Sequence, residues 1–169
     1  MSVQLDRDTI PADGSERVEI GGLGIIWKIE GAAADGRFSV VHHPLAPRAL
    51  AAPLHRHMRE DEYSFVLEGT LGALLGDDVV TASPGTWVFK PRNQWHTFWN
   101  AGERPCEIIE IISPAGFENF FRELAAVYAS AGEPDLTRFA DLCTRYALDM
   151  DPESVPGLCK RFGLTHPLA

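Results

Sequence analysis

The chain has 169 residues, of which 45% are hydrophobic and 23% are charged, a composition that can bury a core. Its 24 acidic residues outnumber 15 Lys and Arg, which gives a formal net charge of −9. Because such a protein repels phosphate backbones and anionic lipid surfaces, these values argue against nucleic acid or membrane as the main partner. The first eight residues lack the continuous apolar region of a signal peptide.

The three cysteines, Cys106, Cys143 and Cys159, are odd in number and unevenly spaced. This pattern suits neither a disulfide framework nor a zinc knuckle. We therefore expect reduced, buried thiols and a cytoplasmic protein whose partner is a small-molecule substrate.

Short runs of β-branched and aromatic residues, separated by turn residues, fill the first two thirds of the chain. Many short strands at near-regular spacing predict an antiparallel sandwich or small barrel. Since no helical pattern separates these runs, a βαβ arrangement is excluded. The predicted strands cover 24–29, 38–42, 63–67, 70–75, 86–89, 96–100 and 106–112.

A helical period replaces the strand pattern after Pro114. The first apolar stripe consists of Phe117, Phe120, Phe121, Leu124 and Tyr128, and residues 132–134 are predicted to end this helix. Asp135 is the expected N-cap of a second helix with the stripe Leu136, Phe139, Ala140, Cys143 and Tyr146. A third helix is indicated by Val155, Leu158, Cys159 and Phe162.

In this third helix, Pro156 and Gly157 fit only the first turn, because a proline further in would lose a hydrogen bond. We accordingly divide the chain into a β domain over residues 1–114 and a helical extension over residues 115–169. The extension is too small to fold alone, so we expect it to pack on the β domain or on a partner subunit.

The pair His55 and His57 carries most of the chemical information. On a strand, residues two apart project to the same side, so both imidazoles aim at one point and form half of a metal site. Glu62 follows at the start of the next strand, and His96 opens a later one. Four such donors suit a first-row divalent ion with open positions; a chance pair of histidines on an exposed strand is the alternative.

Two spaced motifs contain these residues. The first has the order His55, His57, Glu62 and Gly69, and the second has the order Gly85, Pro91, His96 and Asn100. Together they resemble the paired motifs of the cupin superfamily, all-β barrels with a jelly-roll (double-stranded β-helix) topology, over roughly residues 15–114. Two motif glycines are replaced, by Ala49 and Asn93, and Asn tolerates the left-handed backbone better than most residues.

The resemblance implies that His55, His57, Glu62 and His96 bind one divalent transition-metal ion per chain: iron, manganese, nickel, cobalt, copper or zinc. It also implies a homodimer, with a monomer covered by its own helices as the alternative. The chain is similar to small single-domain cupins described as quercetin-dioxygenase-like. That similarity implies a dioxygenase of a small enolic or flavonol-like aromatic substrate, in which Glu62 is also the catalytic base.

Two other functions are compatible with the same motifs. One is a metal-dependent isomerase or lyase of a small polar acid, which would work without dioxygen. The other is a non-catalytic protein that binds a small ligand in the barrel.

The position of Glu62 also predicts the two faces of its strand. If its side chain points inward, Ser64 and Val66 do too, while Tyr63, Phe65 and Leu67 point outward. That outward row is apolar and requires a cover, supplied by the helical extension or by a second subunit.

Several other residues have a simpler structural interpretation. We expect one of His42 and His43 to face the cavity, as a hydrogen-bonded structural residue; a role behind the metal ligands or in contact with substrate is the alternative. The charged run 59–61 is interpreted as a solvated turn. The tryptophans Trp87, Trp95 and Trp99 are expected in the core rather than against a substrate.

Overall fold

The computed structural model describes residues 9–10, 16–128 and 135–165. In these residues the strands are β1 (Arg17–Ile20), β2 (Leu23–Ile29), β3 (Ser39–Leu45), β4 (Leu54–His57), β5 (Asp61–Glu68), β6 (Leu71–Leu75), β7 (Asp78–Ala82), β8 (Trp87–Lys90), β9 (His96–Asn100), β10 (Cys106–Ser113) and β11 (Leu148–Asp151). The helices are α1 (Glu118–Tyr128), α2 (Leu136–Arg145) and α3 (Ser154–Phe162), and a short 3-10 helix spans Gly31–Ala34.

The strands form two antiparallel sheets. One has six strands in the order β1-β2-β3-β10-β5-β8, and the other has five in the order β11-β4-β9-β6-β7. Most buried apolar residues of both sheets belong to one core cluster, and a second cluster joins Leu74 and Trp99 of the five-stranded sheet to helix α3. This architecture confirms the predicted all-β jelly-roll with C-terminal helices.

All seven predicted strands are present, with their bounds shifted by a few residues. The strands could be predicted because buried and more exposed residues alternate along them. Strand β5 alternates buried and half-buried residues from Asp61 onward, and β10 does so along its whole length. Ser64 and Val66 are buried beside Glu62, as the inward face requires.

The helical extension agrees with the prediction in outline. The Asp135 side chain caps α2 by accepting hydrogen bonds from the backbone N–H groups of Thr137 and Arg138. Pro156 lies in the first turn of α3. The predicted end of the first helix at residues 132–134 lies outside the described residues.

The buried face of α2 follows the predicted stripe in part, since its members Cys143 and Tyr146 pack against the core. Leu136, the first residue of that stripe, is 76% exposed, whereas Leu142, which lies outside the stripe, is 1% exposed. The helix contacts the core near its C-terminal end, beside the turn into β11, so its N-terminal end stays in solvent. A strand also follows α2 where only helices were predicted, and β11 pairs with β4 along its whole length.

Helix α3 covers the outer side of the five-stranded sheet. The Phe162 ring stacks on Trp99, with ring centroids 4.3 Å apart. Gly72 lies opposite Trp99 on the neighbouring strand, and a Cβ atom there would overlap the indole ring. Trp99 thus points outward yet is buried. Each helix in the described ranges falls short of the length and apolar content that a membrane-spanning helix requires.

Candidate metal centre

Four side chains from three strands meet at one point inside the protein. His55 and His57 project from β4, Glu62 from β5 and His96 from the start of β9, where it pairs with His55. One ligand atom from each lies within 4.8 Å of those of the other three, and all four residues are buried. The structure therefore brings together the four residues singled out from the sequence.

Backbone carbonyls orient two of the imidazoles. The Nδ1 atom of His55 donates to the Pro53 carbonyl at 2.8 Å, and the Nδ1 atom of His96 donates to the Gln94 carbonyl at 3.0 Å. These bonds place the proton on Nδ1 and leave Nε2 as the atom that can bind a metal.

Burial also fixes the charge state of these imidazoles. Desolvation lowers the pKa of His55 well below its usual range and lowers the pKa of His96 in the same direction. Both rings are therefore neutral at neutral pH, which is the form that binds a metal.

Glu62 is the acidic member of the cluster. Its Oε1 atom lies 3.5 Å from His57 Nε2, and its Oε2 atom lies 3.3 Å from His96 Nε2. Burial opposes ionisation of this carboxyl, but the nearby Lys90 ammonium holds the pKa of Glu62 well below its usual range. The residue is a carboxylate, able to bind a cation.

Behind Glu62 lies a buried charged network that the sequence analysis missed. The Nζ atom of Lys90 lies 3.1 Å from Glu62 Oε2 and donates to Glu110 Oε2 at 2.8 Å. Ser64 Oγ donates to the same Glu110 oxygen at 2.9 Å. Burial lowers the pKa of Lys90, but its two carboxylate neighbours raise it above its usual value overall.

One sequence signal pointed to this network. Glu110 interrupts the apolar strand 106–112 at an inward position, and Lys90 ends β8 at another. An isolated charge on the inward face of a buried strand requires a partner, because an unpaired buried charge is costly. Burial raises the pKa of Glu110 to about 7, against the pull of the Lys90 ammonium.

Glu60 departs from the expected solvated turn. It is 5% exposed and lies beside His57, so the charged run 59–61 contains one residue that points into the protein. Its neighbour Asp61 forms a bidentate ion pair with Arg92 at the surface, in agreement with the expected solvated position.

A cavity of about 280 Å³ adjoins the cluster. Its walls include His55, His57 and Glu62 at one place, and aromatic side chains elsewhere: Phe98, Phe117, Phe120, Phe121 and Phe139. Three of these rings come from α1 and the residue before it, so the helical extension closes the cavity over the cluster. The space suits a small, largely apolar molecule.

His43 also lines this cavity, whereas His42 does not face it. The Nδ1 atom of His43 donates to the Gly24 carbonyl at 2.9 Å, and burial lowers the pKa of this imidazole to about 4. His42 lies on the other side of the strand, 3.1 Å from a Glu107 oxygen. One of the two histidines thus faces inward and is hydrogen-bonded, as predicted.

Only one of the three tryptophans expected in the core is buried. Trp99 is buried beneath α3, whereas Trp87 is 54% exposed on the outer face of β8. Trp95 is partly buried under the Arg56 guanidinium, 5.1 Å from its ring. All three lie away from the residues that line the cavity.

The motif residues that do not face the cluster shape the backbone around it. Asn93 adopts a left-handed conformation with φ of 65°, as expected for a residue in place of glycine, and its N–H donates to the His57 carbonyl at 2.7 Å. The Asn100 side chain donates to the Leu45, Ala46 and Arg104 carbonyls and so ties together two connections.

The donor set fits a divalent transition metal. Among the described residues, Nε2 of His57 and Nε2 of His96 are buried and have no hydrogen-bond partner. Buried polar atoms are nearly always satisfied, so unpaired imidazole nitrogens beside a carboxylate suit the binding of a cation. Neutral imidazoles and one carboxylate accommodate iron, manganese, nickel, cobalt, copper or zinc.

Comparison with known proteins supports the same fold. The sequence profile of the cupin domain matches residues 41–112. No curated protein matches the chain.

Several solved structures resemble the chain, each with a TM-score of 0.54. A sugar phosphate isomerase of the cupin superfamily from Silicibacter pomeroyi is 24% identical, with 62% of this chain and 74% of that chain covered. A predicted oxalate decarboxylase from Thermotoga maritima is 19% identical, with coverages of 59% and 90%. Streptomyces Pac13, a nucleoside dehydratase, is 17% identical, with coverages of 66% and 85%.

At these identities the solved structures support the fold and leave the reaction open. The matched profile spans β3 to β10, which includes all four clustered residues and both motifs. Over residues 41–112 the chain therefore matches the cupin domain, and its fold is similar to that of solved cupin structures.

Proposed function

We propose that this cupin binds one divalent transition-metal ion through His55, His57, Glu62 and His96. We further propose that it is a dioxygenase of a small enolic or flavonol-like aromatic substrate. The observation that supports this function is the position of the ligand cluster in the wall of a mostly apolar cavity whose lining includes five phenylalanine rings. A polar cluster in the wall of an apolar pocket suits a flat aromatic molecule with a few oxygen atoms.

A bound ion would polarise a substrate oxygen and, if redox-active, would engage dioxygen, the oxidant whose two atoms enter the product. The chain's own residues do the remaining work. Glu62 accepts the proton of the substrate hydroxyl, and the Lys90 ammonium keeps this carboxylate ionised and oriented. The rings of Phe98 and Phe117 exclude water and hold the substrate plane.

Oxygen uptake by metal-loaded protein tests this proposal. We expect about one metal ion per chain by elemental analysis, and dioxygen consumption with a flavonol such as quercetin. Glu62→Gln should abolish uptake, whereas Glu107→Gln, a matched change on the outer side of the barrel, should retain it. Metal-loaded protein that leaves dioxygen untouched across enolic aromatic substrates would contradict the dioxygenase.

A metal-dependent isomerase or lyase of a small polar acid is the second candidate. The buried pair of Lys90 and Glu110 beside Glu62 favours it, because such a network can assist proton transfer without dioxygen. The phenylalanine lining of the cavity disfavours it, since a small polar acid would gain little from those rings. Activity of the zinc-loaded protein without dioxygen would establish this alternative.

We also propose that the protein is a homodimer, joined through the outer face of β5 and β8. Cross-strand pairs of aromatic rings lie there: Tyr63 stacks on Phe89 at 4.9 Å, and Phe65 lies 4.8 Å from Trp87. Phe89 is 48% exposed, so the described helices leave this row uncovered. A contiguous exposed apolar face of this kind is typical of an interface.

Sedimentation equilibrium tests the dimer. Wild-type protein should have twice the mass of one chain, and the double variant Trp87→Ser, Phe89→Ser should be monomeric. Val79→Ser, which changes an exposed apolar residue on β7, should remain dimeric. A wild-type monomer would contradict the proposal.

A further inference from the structure

Glu110 presents an unused acceptor beside the cavity. The residue is 1% exposed and is one of the cavity's polar lining residues. Both of its hydrogen bonds, from Lys90 and from Ser64, go to Oε2. In the described part of the chain, Oε1 has no hydrogen-bond partner. A buried carboxylate oxygen without a partner is rare in native proteins and calls for an explanation.

The network fixes which oxygen is available. Lys90 contributes nothing to the cavity lining, and its ammonium holds Oε2 from behind the cavity wall. If the carboxylate rotated, its two oxygens would only exchange places, because Lys90 and Ser64 would still bind whichever oxygen faces them. The remaining oxygen is therefore the one that a molecule in the cavity can reach.

A second acceptor lies on the neighbouring strand. Because β3 pairs with β10 in the register Ile108 to His43, His43 and Glu110 share the inward face. The His43 Nδ1–H is donated to the Gly24 carbonyl, which leaves the neutral ring with Nε2 as an acceptor. The polar part of this wall thus offers acceptors, and a ligand that satisfies them must carry hydrogen-bond donors.

Lys90 also fixes how far this acceptor lies from the metal ligands. Its ammonium contacts a Glu110 oxygen at 2.8 Å and a Glu62 oxygen at 3.1 Å. The two carboxylates therefore contact the same nitrogen atom and lie close to each other. A ligand that reaches both the cluster and Glu110 needs its two polar groups close together on one ring.

We propose that Glu110 is a substrate-binding residue that accepts a hydrogen bond from a hydroxyl group next to the oxygen bound at the His55, His57, Glu62 and His96 cluster. The ligand class is then a planar aromatic molecule with two neighbouring oxygen substituents, at least one of them a free hydroxyl. This inference rests on the proposed metal site, and it adds the substitution pattern of the substrate. The alternative is that Glu110 only balances the charge of Lys90.

Binding of small probes to zinc-loaded protein separates these two roles, because zinc removes any turnover. The probes are catechol, which has two free hydroxyls, and 2-methoxyphenol, in which one is blocked. We expect wild-type protein to bind catechol at least about tenfold more tightly, measured by calorimetry at about pH 8.5, where Glu110 is ionised. Direct chelation by zinc also favours catechol, so the decisive quantity is the change in this affinity ratio on substitution at Glu110.

Glu110→Gln should reduce the ratio at least about fivefold, because Lys90 and Ser64 attract the amide oxygen and turn the NH₂ group, a donor, toward the cavity. Glu110→Asp, which keeps the charge beside Lys90, is the second variant if the first fails to fold, and it should also reduce the ratio. Glu107→Gln, on the same strand but facing outward, should leave the ratio unchanged.

The outcomes distinguish the two proposals. If wild-type protein fails to bind zinc, the proposed metal site is wrong. If zinc binds but catechol does not, or if the ratio is the same in wild type and in every folded Glu110 variant, the role of Glu110 in substrate binding is wrong.

Discussion

The Nδ1 atom of His57 lies 3.7 Å from the Oε2 atom of Glu60, and neither atom has a hydrogen-bond partner among the described residues. This imidazole differs from those of His55 and His96, whose Nδ1 atoms both donate to backbone carbonyls. A carboxylate is a common partner for the second nitrogen of a metal-binding histidine, since it orients the ring and increases its basicity. A small shift of either side chain would complete that hydrogen bond.

We therefore expect Glu60→Ala to weaken zinc binding roughly 10- to 100-fold. Glu60→Gln should lose less, because its amide oxygen can still accept from Nδ1. Competition with a chelator of known affinity measures both constants. Glu68→Ala, a change at the exposed end of β5, is the control, and equal affinities for all four proteins would show that Glu60 does not orient His57.

Metal binding should also stabilise the fold. A ligand present at about 100 times its dissociation constant stabilises the native state by about 2.7 kcal/mol, which raises the melting temperature of a chain of this size by roughly 5–10 °C. Scanning calorimetry with zinc and with a chelator measures the shift. His96→Ala should abolish most of it and His42→Ala should retain it; an unchanged melting temperature in wild type would argue against a metal site.

Motif spacing predicted the members of the candidate metal cluster. Strand register places His96 opposite His55 on the adjacent strand, whereas Glu62 projects from a strand of the other sheet. Motif spacing could not predict Glu60, which follows His57 in a turn where no side-chain period applies. The run from Arg59 to Asp61 has the composition of a surface, and only the tertiary fold determines which of its charges points inward.

Two features of the helical extension could not be predicted from the sequence either. Strand β11 has only four residues, half of them aspartate, and its pairing with β4 is set by where the preceding helix ends. The apolar stripe of α2 predicted the helix and its contacts at Cys143 and Tyr146, but it missed the buried Leu142. Leu136 is exposed because a helix that contacts the core mainly near one end does not bury its whole stripe.

Leu142 tests whether the extension unfolds together with the β domain. This side chain is 1% exposed and belongs to the same apolar cluster as the two sheets. Leu142→Ala should lower the free energy of unfolding by about 2–5 kcal/mol through lost burial and a residual cavity. Leu136→Ala, the same change at a residue that is 76% exposed, should cost less than about 0.5 kcal/mol.

Urea unfolding, followed by tryptophan fluorescence and by circular dichroism, measures both variants. Fluorescence reports on the β domain, which contains the tryptophans, and the helical part of the circular dichroism signal reports on the extension. Because Leu142 belongs to the core cluster of the β domain, we expect both signals to change in one common transition. Separate transitions, or a small effect of Leu142→Ala, would mean that the extension unfolds independently.

Tyr146 provides a pH test of the contact between α1 and the end of α2. Its hydroxyl donates to Glu123 Oε1 at 2.6 Å, and burial together with this carboxylate raises the pKa of Tyr146 to about 12. Between about pH 10 and pH 12 the folded chain keeps a phenol proton that the unfolded chain has lost. Since the folded state then binds more protons, its stability must fall as the pH rises through this interval.

Tyr146→Phe removes that proton, so the variant should lose less stability than wild type between pH 10 and pH 12. At neutral pH the variant should be the less stable of the two, because it lacks the hydrogen bond to Glu123. Urea unfolding at pH 7 and at pH 11 measures both effects, and ultraviolet absorbance follows phenolate formation directly. If both proteins lose stability equally, or if the phenol of Tyr146 ionises near pH 10, its hydroxyl is solvated rather than bound to Glu123.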